Sequence, residues 1–237
     1  MVGADYQVAG DLAHPRSLRS RESREPQRRH PLFHAVLRRD LERAIGSLTA
    51  SRHPSPAQRA ALAEHVGLVL DLLHHHHTGE DIGLWPLVRR RAPDLGSQLD
   101  MMEAEHASVA GAIISTRAAA RQYAATADPS AAHDLRQALV ELSGVLLPHL
   151  EHEETEVMPR VMRALTDRDW SALSRREVRN WGSFALAGTG LVWMADGMNQ
   201  TERAMFNQQV SPTFQWLVDK RYGPVYRRRT AIAFQIT

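Results

Sequence analysis

The chain has 237 residues, with 29 basic and 27 acidic side chains and a formal charge of +2, enough for one sizeable domain plus an appendage. No cysteine is present, which excludes disulfides, zinc–thiolate sites, iron–sulfur clusters on the usual thiolate ligands, and a cysteine nucleophile. Metal chemistry here must therefore use imidazole and carboxylate, and the thirteen histidines are many for this length and clustered.

Residues 1–29 are polar, carry Pro15, Pro26 and the arginines from Arg16 to Arg29, and lack periodicity. They predict a disordered arginine-rich arm. Arginine gathers again at Arg227 to Arg229, and Lys220 is the sole lysine. These clusters lack interleaved aromatics and any reading motif, so they read as solvated tails rather than a nucleic-acid interface.

Helical patterning begins at Pro31, a good first-turn residue. The first segment runs to about Ala50 with the stripe His34, Leu37, Leu41, Ala44, Leu48. The second runs from about Ser55 to Trp85, with Ser55 as N-cap and Pro56 as first helical residue; its stripe is Leu62, Val66, Val69, Leu73, His76, Glu80. The third starts after Pro93, with Asp94 as candidate cap, and reaches about Ala125; its stripe is Leu95, Leu99, Met102, His106, Val109, Ile113. The fourth begins near Asp128 and Pro129 and reaches about Leu165, with the stripe Leu135, Leu139, Leu142, Leu146, His149, Glu153.

Steps of three and four place each stripe on the inner face of a packed helix. Four such helices with short loops predict an all-α, antiparallel up-down-up-down four-helix bundle over residues 30–165. Residues 166–237 hold four of the five tryptophans and several glycines, and are expected to form a C-terminal extension of shorter helices docked on the bundle. The longest apolar stretch, Trp181 to Ala195, is too short and glycine-rich to span a bilayer. The N-terminus lacks the apolar core of a secretory signal, so the expectation is a cytoplasmic protein without a membrane partner.

A stripe that buries leucine should not also bury His and Glu unless something satisfies them. Two motifs match. His76 and Glu80 are followed by Asp81 and then Pro86; His149 and Glu153 are followed by Glu154 and then Pro159. Each reads His-x-x-x-Glu, an acid, then proline six residues after the Glu. Positions i and i+4 share one helix face, about 6 Å apart in rise, so an imidazole and a carboxylate can reach one metal pair. Each motif also has a lone stripe histidine upstream: His34 precedes His76 by 42 residues, and His106 precedes His149 by 43. The chain thus repeats one unit twice.

Four histidines and two glutamates then face one core, a donor set suited to iron or manganese. His77 with Asp81 and His152 with Glu156 are competing i,i+4 pairs, but the stripes favour His76/Glu80 and His149/Glu153. His74, His75, His77 and His152 are then expected beside the site or on the surface, and Asp81 and Glu154 as supporting acids.

The order His34, His76-x-x-x-Glu80, His106, His149-x-x-x-Glu153 resembles the hemerythrin-like, or HHE cation-binding, family. The flanks are similar too: FHAVLRRDL around His34, GEDIGLWP after His76, EAEH up to His106 and HEETEVMP after His149. The resemblance covers roughly residues 30–165. It implies two non-haem irons, bridged by the two glutamates and an oxo or hydroxo group, with manganese as the alternative metal. Oxygen-carrier members use a fifth histidine one turn from another on the third helix. Here the flanking positions are Met102 and Ala110, which cannot supply it, and this leaves more coordination open to exogenous ligands. Repair members often carry a cysteine-bearing N-terminal domain, which this sequence lacks. The expected function is a di-iron protein that binds and reacts with dioxygen, hydrogen peroxide or nitric oxide. Catalase-like peroxide decomposition and a separate reductase belong to that expectation; the alternative is an iron or oxygen sensor, or an iron-buffering module without turnover.

Overall fold

The computed structural model describes residues 29–50, 53–180 and 183–235. Every regular element among them is helical. The predicted arm lies outside the described residues, apart from Arg29, which opens the first helix.

Helix α1 spans Arg29–Ala50. Helix α2 spans Pro56–Gly79 and starts as its sequence dictates. The Ser55 hydroxyl accepts the Gln58 N–H at 3.2 Å, the Gln58 side chain accepts the Ser55 N–H at 2.7 Å, and Pro56 takes the first position, where no N–H is needed. A π-helical turn, Glu80–Leu84, leads into α3, Trp85–Arg91. The expected cap at Asp94 does not form: Asp94 lies within a 3₁₀ turn, Pro93–Leu95. Helix α4, Gly96–Ala125, follows with no side-chain cap, its first turn being continuous with that tighter turn. Asp128 caps α5, Pro129–His152, by accepting the Ser130 N–H. A second π turn, Glu153–Val157, leads into α6, Met158–Ala164. The C-terminal region forms α7 (Asp167–Asn180), α8 (Phe184–Ala195), α9 (Gln200–Gln209) and α10 (Pro212–Phe234). Among the described residues no helix is long and apolar enough to cross a membrane.

Helix α1 packs on α2 and α5, and α4 packs on α2 and α5, so the four long helices close a ring. The stripes of α4 and α5 are buried throughout. Helix α2 departs from its single stripe, because Leu68, Leu70 and Leu72 are buried as well. Its outer side is covered by α10, which a one-face pattern does not anticipate.

The apolar interior falls into two clusters. The larger holds Leu37, Leu73, Val109, Leu146 and Leu150 together with Val192, Trp193 and Tyr226 of α8 and α10. The smaller holds Leu84, Trp85, Leu99, Met102, Val157 and Val161. Along α2 and the π turn that continues it the order is Leu73, then His76, His77 and Glu80, then Leu84; along α4 it is Met102, His106, Val109. The polar residues thus occupy one level between two oily ones, where water cannot satisfy them.

A buried carboxylate ties the C-terminal helices to this body. Asp40 of α1 accepts the His65 ring N–H at 2.9 Å, the Trp193 indole N–H at 2.5 Å and the Arg39 Nε–H at 3.0 Å. Nearby, Arg43 reaches Asp196 at 3.1 Å, and Tyr226 donates its hydroxyl to the same carboxylate at 3.0 Å. Burial opposes the charge on Asp40, but His65 and the Arg39 guanidinium overcome it and hold the carboxyl at about 2.

Candidate metal centre

Both His-x-x-x-Glu motifs end in the same local distortion. The Trp85 N–H bonds the Glu80 carbonyl, and the Met158 N–H bonds the Glu153 carbonyl, each spanning five residues instead of four. Pro86 and Pro159 are the second residues past these turns and have no N–H to donate. The missing donor favours a wider turn at that point. Each π turn opens on its glutamate, with the next acid beside it.

The two halves then exchange acids. Asp81, from the first motif, accepts a hydrogen bond from Nδ1 of His106 at 2.6 Å. Glu154, from the second, accepts one from Nδ1 of His34 at 2.8 Å and is clamped by both Arg38 nitrogens at 2.9 and 3.0 Å. Glu80 approaches His106 Nε2 at 3.5 Å, and Glu153 approaches His34 Nε2 at 3.4 Å. The repeat seen in the sequence is thus an approximate two-fold relation at this level of the fold.

All six side chains selected from the sequence lie in one connected cluster. His34 and His76 meet Nε2 to Nε2 at 3.1 Å, and Glu153 joins them. Within its own motif His76 stands 3.4 Å from Glu80. The His106 and His149 rings lie 4.8 Å apart, edge to face. His34, Glu80, His106, His149 and Glu153 are all buried.

Of the two places expected for His77, beside the site or on the surface, it takes the first, and more deeply than the stripe reading implies. It is buried, stacked on His106 with ring centroids 4.1 Å apart and planes 8° apart, and edge-on to His149 at 4.9 Å. Helix α2 has neighbours on two sides, so successive residues His76 and His77 both turn inward. A one-stripe reading rejects one of them. His74 is exposed, as expected.

Glu105 is the other residue the sequence reading passed over. Its carboxylate receives Nδ1 of His149 at 2.9 Å and Nδ1 of His152 at 2.8 Å. It belongs to the flank EAEH, and its position directly before the lone histidine is its signal in the sequence. Three interior histidines, His34, His106 and His149, therefore each give Nδ1–H to an outer carboxylate. That fixes the tautomer and presents the Nε2 lone pair inward.

Electrostatics follow the geometry. For His106, burial opposes protonation, but Asp81 and Glu80 outweigh it and raise its pKa. For His149, burial prevails over Glu105 and lowers it. Burial, helped by the neighbouring His106 and His149, pushes His77 down to about 2. Glu154 is held at about 2, since His34 and Arg38 overcome its burial.

This arrangement fits a bound cation. Nε2 of His77, His106 and His149 are buried without a hydrogen-bond partner, a costly state for polar atoms in an interior. Donor atoms of His77, His106 and His149, of His34, His76 and Glu153, and of His76, His77 and Glu80 each converge within 4.8 Å. Imidazole and carboxylate oxygen suit iron, manganese or zinc, and the cluster exceeds what one closed tetrahedral zinc site takes.

No curated protein and no solved structure matches the chain. A family model does, over residues 32–161, which is more than half of the sequence and contains every residue of the cluster. Its description is Hemerythrin HHE cation binding domain, and the chain belongs to that family of cation-binding proteins.

Proposed function

We propose that the protein is a non-haem di-iron protein that binds and reacts with a small oxidant: dioxygen, hydrogen peroxide or nitric oxide. The ligands in this reading are His34, His76, Glu80, His106, His149 and Glu153, with the two glutamates between the irons. One observation carries it: three buried imidazoles are each anchored at Nδ1 by Glu154, Asp81 or Glu105, and the Nε2 atoms of His34 and His106 lie 3.4 and 3.5 Å from the buried Glu153 and Glu80 while that of His149 converges with donor atoms of His77 and His106. Such outer carboxylates orient metal-ligating histidines and raise their basicity. An up-down-up-down course of the four long helices accords with this. Helix α2 passes from the larger apolar cluster through the site to the smaller one, α4 passes the other way, and α5 repeats the course of α2. Residues 30–165 are the functional unit in this reading, with 166–237 as a supporting extension.

Two adjacent irons would supply two electrons together to a small oxidant. The chain's own part is to hold and shield them. Glu80 and Glu153 place two negative charges between four imidazoles. The leucines above and below exclude water, which strengthens every interaction inside. Phe33 lies on the His76 ring at 4.4 Å and edge-on to Trp193 at 5.4 Å, closing that flank with apolar surface. The test is anaerobic loading with ferrous iron, followed by exposure to each oxidant while ultraviolet–visible bands are recorded. New charge-transfer bands with at least one oxidant are expected, and oxygen evolution from peroxide would identify catalase-type turnover. A loaded protein with no spectral response to any of the three contradicts the redox reading.

A further inference from the structure

The two-fold relation between the halves is broken at two positions, both on the same side of the site. Counting from the first residue of each His-x-x-x-Glu motif, His77 corresponds to Leu150. Counting from each lone histidine, Glu105 corresponds to Phe33. One side of the cluster therefore has an additional imidazole and an additional outer carboxylate, where the other has leucine and phenylalanine.

We infer that His77 is a fifth histidine ligand, completing a three-imidazole set with His106 and His149 on one metal, while His34 and His76 hold the other. The inference rests on the dinuclear reading above. Three observations carry it. The ring is buried at 5% exposure, and its Nε2 has no hydrogen-bond partner. It lies parallel to His106 and edge-on to His149, with a donor atom of each converging within 4.8 Å. Finally, the His77 ring also reaches the group formed by His76 and Glu80, so successive residues of α2 serve both sides of the site.

The experiment uses the full chain loaded anaerobically with ⁵⁷Fe(II), comparing wild type with His77→Phe, His77→Gln and His77→Glu, and with the exposed His74→Ala as control. Phe keeps the ring volume and the stack on His106 but removes the donor atoms. Gln repeats the test at smaller volume in case the larger ring disturbs the pocket, and Glu restores a donor. Wild type is expected to show two inequivalent ferrous Mössbauer doublets. Both Phe and Gln should shift one doublet and weaken one of the two iron sites about tenfold or more, by analogy with the losses seen even for outer partners of metal ligands. The metal-free Phe variant should melt at or above the metal-free wild type, because an unpartnered buried imidazole has been replaced by hydrocarbon. Glu should recover most of the lost affinity, and His74→Ala should match wild type. A wild type that loads two irons, with His77→Phe and His77→Gln binding both as tightly and with unchanged doublets, overturns the assignment of His77 and leaves the dinuclear reading standing. A wild type that takes up no iron pair overturns both.

Discussion

The Asp81–His106 contact gives the sharpest quantitative consequence of the acid exchange. Asp81→Asn keeps the side-chain volume and removes only the charge that receives the His106 Nδ1–H at 2.6 Å. A hydrogen bond to a charged group contributes about 1.5–3 kcal/mol. The Asp81 side chain is 37% exposed, so water screens it, and the lower end of that range applies. About 1.5 kcal/mol is roughly tenfold in affinity. The loss should fall on the iron held by His106, with the other site changed by less than about threefold, since Glu154 and not Asp81 supports His34. The assay is anaerobic chelator competition with ferrous iron. Asp71→Asn on the preceding α2 is the matched control: it removes the same charge from an exposed pair with Arg117, away from the cluster. Equal weakening by both substitutions would refute the reasoning, because a general field rather than the Nδ1 contact would then set the affinity.

Further outcomes follow from other residues. His76→Ala or Glu153→Ala should lower iron content and melting temperature together, because bound metal stabilises the fold, while His133→Ala on the exposed face of α5 should do neither; inductively coupled plasma analysis and calorimetry read both. Asp40→Ala strands His65 and Trp193 in the interior, so it should destabilise the metal-free protein by about 3–5 kcal/mol, or roughly 10 °C in Tm for a chain of this size; a loss under about 1 kcal/mol in urea unfolding contradicts that role. The same carboxyl sets an acid limb. Its folded pKa is about 2 against an ordinary 3.8, so its contribution, about 2 kcal/mol, is complete above the ordinary value and is lost as pH falls from there through about 2. In Asp40→Asn that part of the limb should disappear from metal-free unfolding curves.

The helices and the six inward-facing polar residues were legible because a stripe of leucines interrupted by His and Glu has few bland explanations. The matching offsets of Pro86 and Pro159 pointed to equivalent local structure, although the π turns themselves emerge only once the missing proline donors are placed in a helix. His77 was not legible. Stripe reasoning assigns one inner face per helix, and α2 has packing partners on more than one side, α10 among them. Asp40, His65 and Trp193 carry no motif: Asp40 meets Trp193 across 153 residues of sequence, and only tertiary packing brings them together. Asp94 looks like a cap in sequence, but the preceding Pro93 starts a 3₁₀ turn that absorbs it.

The central claim, that this cluster holds a pair of irons, is tested most directly by iron analysis of the full chain purified without oxygen and loaded with ferrous iron. The account predicts about two irons per chain, lost in parallel when His34, Glu80 or His149 is substituted. A chain that retains less than one iron, or that keeps its full complement after those substitutions, contradicts it.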